Sequence, residues 1–156
     1  VGGTAGSTSG AGITFPASQS ASSNANTLDD YEEGTWTPTL GDGTTTVNMS
    51  GTYIKIGKLV SVNVTGYNTN FSSLSTTGHL RVGGIPFDVG VQSQAALATN
   101  NTGGNTAVLE VAPGSAVAYL YTSNGTVDWV ASTRNTLVGG ASTFSVRFQF
   151  WYIASA

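Results

Sequence analysis

Four of the eight acidic side chains in the sequence lie within five positions, just before a tryptophan and a proline: Asp29, Asp30, Glu32 and Glu33. Such a cluster could bind a hard cation such as Ca²⁺, which takes about 6–8 oxygen ligands, or could supply a catalytic carboxyl pair. In an extended chain Asp30 and Glu32 point to one side, and Asp29 and Glu33 point to the other. A third interpretation is structural: a solvated acidic turn whose side chains accept backbone N–H bonds and end the extended lead-in. We favour this hinge, with Ca²⁺ binding as the alternative and no other cofactor expected.

A second candidate for chemistry is a mixture of rings and small polar groups between residues 119 and 135. Sugar-binding sites place flat apolar rings against C–H faces, and amide, carboxylate or guanidinium groups against hydroxyls. If Asn124-Gly125 closes a β-hairpin, Tyr121 and Asp128 come near its end. The competing interpretation places Tyr119 and Trp129 in the core. The sequence predicts a carbohydrate-binding site with Arg134 nearby, formed by Tyr121, Asn124, Asp128 and Trp129.

Other reactive side chains lack partners in the local sequence. His79 is the only histidine, and neither a Ser-His-Asp relay nor a zinc site has a signature around it. We interpret it as a structural histidine. Glycoside hydrolysis needs two carboxyl groups about 5–9 Å apart. Outside the acidic cluster each carboxylate stands alone in sequence: Asp42, Asp88, Glu110 and Asp128. We therefore expect no enzymatic activity.

Composition argues against several classes of partner. Only 8% of the residues are charged, and five of these are basic, so the chain lacks a surface that tracks phosphate groups. There is no cysteine, which excludes disulfides and thiolate zinc sites. No apolar run approaches the roughly 20 residues that span a bilayer. We expect neither nucleic-acid binding nor membrane insertion.

The elements that position these groups are predicted to be strands. Between residues 144 and 152 large apolar side chains alternate with smaller or polar ones, as in a strand with one buried face. Trp151 falls on the opposite face and needs a cover, such as a neighbouring subunit. Gly57-Lys58 separates two strand-like runs and predicts a hairpin. We predict an all-β domain over residues 35–156, an antiparallel jelly-roll-like sandwich of about seven to nine strands. Residues 1–34 form an extended lead-in without a long helix.

The segment from Phe15 to Pro38 resembles one near the C-terminal ends of tailed-bacteriophage tail fibre and tailspike proteins. The matching sequence elements are FPA at 15–17, Gln19 and ANTLDDYEEGTWTP at 25–38. GTYIKIGKLVSV at 51–62 resembles the first strands of the β-domain that usually follows. The resemblance implies a homotrimeric virion component at the distal end of a tail appendage, which binds a host receptor, usually a polysaccharide. No long shaft or parallel β-helix precedes the motif, so polysaccharide-degrading activity is not carried over. Asn24 also stands where an acidic residue is often found.

These observations lead to a functional hypothesis. The domain is a non-enzymatic, trimeric receptor-binding module at the tip of a phage tail fibre or tailspike. Its partners are copies of itself, other tail proteins of the virion and a bacterial surface polysaccharide, and it acts outside the cell. Three weak sites on one trimer raise avidity through effective concentration. Two alternatives stay open: a structural domain that trimerises and caps a fibre, and a polysaccharide depolymerase with a site between subunits.

Overall fold

The computed structural model describes residues 15, 24, 26–28, 30–99, 106–123 and 129–155, with the backbone alone for 95–99 and 106. These residues form twelve strands and one short helix. Several strands have only three residues, too few to show alternation, which is why more occur than the roughly seven to nine expected. The strands are β1 Tyr31–Trp36, β2 Thr39–Gly41, β3 Thr46–Asn48, β4 Ser50–Ile56, β5 Leu59–Asn70, β6 Arg81–Gly83, β7 Val89–Val91, β8 Ser93–Thr99, β9 Thr106–Val111, β10 Val117–Ser123, β11 Trp129–Ala131 and β12 Thr143–Ala154, and the helix α1 is Arg134–Val138.

The strands form two antiparallel sheets that share one strand. The first sheet has the order β1-β4-β5-β12, and β12 also pairs with β7 and with the end of β8. The second has the order β3-β2-β6-β10-β9-β8, and β11 pairs with the end of β10. Because β8 belongs to both sheets, they join along one side. The predicted class is confirmed: the described domain is all-β and antiparallel, with a core between sheets.

Alternation along the two longest strands builds the core. β5 buries Val60, Val62 and Val64. The second sheet contributes Leu109 and Leu120 to the same cluster. Each of these side chains contributes roughly 1.5–3 kcal/mol when fully buried. The apolar face predicted for β12 is buried as expected: Phe144, Val146, Phe148, Phe150 and Tyr152.

The predicted hairpin at Gly57-Lys58 joins β4 to β5. Ile56 pairs directly with Leu59, so the loop has two residues. Gly57 has a φ of 56°, a left-handed conformation that glycine adopts readily because it has no Cβ.

Residues 31–34, which the sequence placed in the lead-in, belong to β1, which pairs with β4 along its whole length. The acidic cluster therefore runs directly into the first strand. Most of residues 1–30 lie outside the described part of the chain, so the extended lead-in stays a prediction.

Candidate functional site

The outer face of the second sheet carries two of the rings predicted to bind a sugar. Tyr121 lies on β10, between Val108 of β9 and Ala131 of β11. Trp129 is the first residue of β11. Because alternate residues of β10 point into the core, Tyr119 and Tyr121 are left on the outer face.

Tyr121 and Trp129 line one shallow pocket with a volume of about 260 Å³. Its other walls come from Gln94 of β8 and from Val108 and Glu110 of β9. Trp129 leaves 52% of its surface exposed, so the competing interpretation that placed it in the core is wrong. The pocket thus presents exposed aromatic surface and a carboxylate side by side.

Glu110 and Gln94 form the polar end of the pocket. They lie opposite each other on paired strands, and Gln94 Nε2 donates a hydrogen bond of 2.8 Å to Glu110 Oε2. This bond links the carboxylate to the amide at the surface. A carboxylate has about four acceptor positions, so Glu110 retains capacity to accept bonds from hydroxyl groups of a ligand.

His79 supports the two tyrosine rings of this face. Its ring centroid lies 5.1 Å from that of Tyr119 and 5.2 Å from that of Tyr121. The backbone oxygen of Leu120 can only accept, so Nε2 donates the 2.8 Å bond that joins them and carries the proton. The structure therefore gives His79 the structural role expected from the sequence.

The structure describes two of the four residues predicted to bind a sugar. Tyr121 and Trp129 line one pocket, whereas Asn124 and Asp128 lie outside the described residues. Arg134, expected nearby, is buried in α1, where its Nη1 donates a 2.6 Å hydrogen bond to the backbone oxygen of Phe71. Arg134 therefore anchors a loop and does not face a ligand.

Sequence reasoning missed the polar end of the pocket. Glu110 stands alone among its sequence neighbours, and its partner Gln94 is 16 residues away on another strand. One local signal was present: alternation around the buried Leu109 places Val108 and Glu110 together on the opposite face.

Within the acidic cluster, Asp30 is a buried structural residue. Only 5% of Asp30 and 4% of Lys55 is exposed, and their side chains form an ion pair. The Lys55 ammonium also lies 5.3 Å from the centre of the Phe87 ring. The backbone oxygen of Asp30 accepts a 2.9 Å hydrogen bond from the N–H of Gly57. Asp30 thus fixes the start of β1 to the β4–β5 hairpin, which is a structural role, but the predicted solvated turn is wrong for this residue, because its carboxylate is buried in an ion pair with Lys55.

Glu32 and Glu33 point to opposite sides of β1, and each accepts a hydrogen bond from a tyrosine. Tyr53 donates to Glu32, and this bond raises the pKa of the Tyr53 phenol to about 12. Tyr31 donates to Glu33 at 2.8 Å, which raises its own pKa. Asp29 lies outside the described residues, and these contain no group of three or more His, Asp or Glu suited to a metal. The Ca²⁺ site stays a hypothesis.

Comparisons with known proteins give little further information. No protein-family model matches the chain, and no curated protein matches its sequence. One similar solved structure is that of a reovirus attachment protein, sigma1, in complex with alpha-2,3-sialyllactose. It is 14% identical, and the match covers 81% of this chain and 67% of that chain with a TM-score of 0.41. That likeness is too low to argue from, and the tail-fibre resemblance stays a prediction.

In the part of the chain that the structure describes, no helix is long and apolar enough to span a bilayer.

Proposed function

We propose that this domain is a receptor-binding module of a virus particle that binds a bacterial surface glycan without cleaving it. It works as a homotrimer at the tip of a phage tail fibre or tailspike, joined to other tail proteins. The observation that carries the proposal is the pocket in which the half-exposed indole of Trp129 meets the Glu110–Gln94 pair. The motif in residues 15–38 supports the viral setting.

The pocket combines the two kinds of contact that a sugar needs. The rings of Tyr121 and Trp129 offer apolar surface to the C–H groups of a pyranose. The Glu110 carboxylate accepts hydrogen bonds, and the Gln94 amide both donates and accepts them. An anionic sugar fits less well, because Glu110 lines the pocket and the chain carries a formal net charge of −3. The preferred ligand is therefore a neutral or weakly charged glycan.

The size of the pocket implies weak binding at each site. Its volume of about 260 Å³ lies below the range of roughly 300–1,000 Å³ that holds drug-sized ligands, so it accommodates one or two sugar rings. A shallow contact of this size gives a dissociation constant on the order of micromolar to millimolar. Three sites on one trimer raise the avidity through effective concentration.

The polar groups of the pocket support binding without cleavage. Among the described residues that line it, Glu110 is the one carboxylic acid. Glycoside hydrolysis needs two carboxyl groups about 5–9 Å apart. Among the described residues the pocket thus offers one carboxylate beside an amide, a pair that can orient a sugar through hydrogen bonds.

Two substitutions and one control test the proposed site. Trp129→Ala and Glu110→Gln should each weaken binding to arrayed bacterial polysaccharides by at least about tenfold. The melting temperature should change by a few degrees at most, since Trp129 is half-exposed. Tyr67→Ala is the matched control, because this ring is 71% exposed on the first sheet.

Two results would contradict the proposal. A folded Trp129→Ala variant that binds polysaccharide and adsorbs to host cells like the parent would exclude this site. Release of reducing sugar from the bound polysaccharide by the parent protein would exclude the non-enzymatic function.

A further inference from the structure

A row of side chains on the outer face of the second sheet extends beyond the pocket, past Glu110. Residues directly paired on neighbouring strands point to the same face, with Cβ atoms about 5 Å apart. Tyr119 of β10 pairs with Glu110 of β9 on one side and with Arg81 of β6 on the other. Their chain neighbours Val82 and Ala118 are buried in the core, so the row itself faces outward. Strand register orders its four members, which we call the outer row: Arg81, Tyr119, Glu110 and Gln94.

Tyr119 supplies an aromatic surface between the pocket and Arg81. Its side chain is half-buried, and its ring centroid lies 5.1 Å from that of His79. His79 is held in turn by the hydrogen bond that its Nε2 donates to the backbone oxygen of Leu120. Because the ring of Tyr119 is supported by a fixed neighbour, it can offer apolar surface to a second sugar beside the one in the pocket.

Arg81 places a positive charge at the far end of the outer row. A Cβ at Gly43 would lie 3.4 Å from Arg81 Nη2, so the half-buried guanidinium lies beside the turn between β2 and β3. Among the described residues the one ion pair is that of Asp30 with Lys55, so Arg81 has no acidic partner there. A guanidinium is a planar fork of donors that matches a carboxylate or a phosphate group through two parallel hydrogen bonds.

The acidic residue of the neighbouring turn is committed to other groups. Asp42 follows Gly41, the residue of β2 that pairs with Arg81. Its two carboxylate oxygens accept three backbone N–H bonds of 2.8, 2.7 and 2.6 Å. Asp42 therefore fixes its own turn and forms no ion pair with Arg81, whose donors remain free for a ligand.

We infer that Arg81 binds an acidic group of the glycan, next to the sugar held in the pocket. The inference rests on the proposed function, since it extends the same ligand along the outer row. Arg81 lies two strands from Glu110, or roughly 10 Å, which is about one Debye length at physiological salt, so Glu110 repels the bound acid only weakly. The ligand class is a polysaccharide with a neutral sugar for the pocket and one carboxylate or phosphate group in each repeating unit.

A chemical change of the ligand tests the inference without any change to the protein. The probes are bacterial polysaccharides that contain a uronic acid and others that carry a phosphate substituent. Each is compared with its neutral form, obtained by carboxyl reduction or by dephosphorylation. The parent protein should bind the acidic form of one class at least about tenfold more tightly than the neutral form, because the hydrogen bonds are charge-assisted. This preference should shrink as salt is added. The class that shows it identifies the acid.

Substitutions assign the preference to Arg81. Arg81→Gln should bind the acidic form about tenfold more weakly than the parent does and the neutral form as the parent does. Arg81→Lys keeps the charge without the fork and should recover part of the loss. Arg147→Gln, at an exposed arginine of the first sheet, is the matched control and should bind like the parent. Trp129→Ala should weaken the binding of both forms, and circular dichroism verifies that each variant is folded.

The results separate the inference from the proposed function. Equal binding of both forms by the parent, with Trp129→Ala weakened, would overturn the inference and leave the pocket in place. A folded Arg81→Gln variant that keeps the preference for the acid would do the same. A preference that Arg81→Gln loses and Trp129→Ala leaves unchanged would support acid binding at Arg81 and contradict the proposed pocket.

Discussion

Removing the carboxylate of Asp30 should strongly destabilise the domain. Asp30 and Lys55 are each about 95% buried, and their side chains form an ion pair. Taking one partner from a buried pair costs about 3–5 kcal/mol, because the remaining charge stays in a poorly solvated place. A domain of this kind has a total stability of roughly 5–15 kcal/mol. Asp30→Ala should therefore remove a large share of the free energy of unfolding.

A double variant separates the charge from the packing. Lys55→Met removes the ammonium but keeps a long apolar stem beside the Phe87 ring. Replacing a buried ion pair with apolar groups is often neutral in stability. The variant Asp30→Ala/Lys55→Met should therefore lie within about 2 kcal/mol of the parent and be more stable than Asp30→Ala alone.

Urea denaturation at one fixed protein concentration measures these differences. Glu33→Ala is the control, since this exposed acid has a tyrosine partner at the surface and should change stability by no more than about 0.5 kcal/mol. A loss of less than about 1 kcal/mol in Asp30→Ala would refute the reasoning. A double variant no more stable than the single variant would refute it as well.

Three further predictions concern stability and ionisation. Backbone N–H bonds, of which that from Thr45 is the strongest cause, lower the pKa of Asp42 from 3.8 to about 2. Asp42→Ala should lower the free energy of unfolding by about 1 kcal/mol above about pH 4, after allowance for solvent screening. The difference in stability between parent and variant should shrink as the pH falls towards about 2, and a difference in urea titrations that does not change with pH would contradict this. A Cβ at Gly51 would lie 2.2 Å from Trp36 Nε1. Gly51→Ala should therefore lower the free energy of unfolding by about 1–3 kcal/mol, and an unchanged melting temperature would argue against that contact. Burial raises the pKa of Tyr152 to about 12. Tyr152→Phe should therefore remove one tyrosine ionisation from the alkaline end of the ultraviolet absorbance titration, and loss of an ionisation near pH 10 would contradict the assignment.

The long strands were predictable because their alternation extends over many residues. The stretch around Phe148 shows five apolar side chains in strict alternation, and the structure buries all of them in β12. The Gly57 hairpin was predictable because its two-residue loop is local in sequence. The three-residue strands were not, since their pairing depends on distant partners and leaves no periodic signal.

The candidate site was predictable only in part, for a related reason. The rings of Tyr121 and Trp129, which line the pocket, could be found from the density of aromatic and polar residues in one segment. Gln94 and Glu110 join that segment only through the pairing of β8 with β9 and of β9 with β10. The ion-pair partner of Asp30 could not be predicted from the local sequence for the same reason. Lys55 is 25 residues away and meets Asp30 only through the pairing of β1 with β4.

The proposed glycan site is tested most directly by nuclear magnetic resonance of the three tryptophan indoles. Trp36, Trp129 and Trp151 lie at separate places in the fold, so a ¹⁵N-labelled sample reports on each of them independently. The oligosaccharide that scores best on the bacterial array is titrated into the parent protein. We predict a saturable shift of the Trp129 indole N–H, with the other two indole signals unchanged. A saturable shift at Trp36 or Trp151 with Trp129 unmoved, or no indole shift at saturating sugar, would contradict the proposed site.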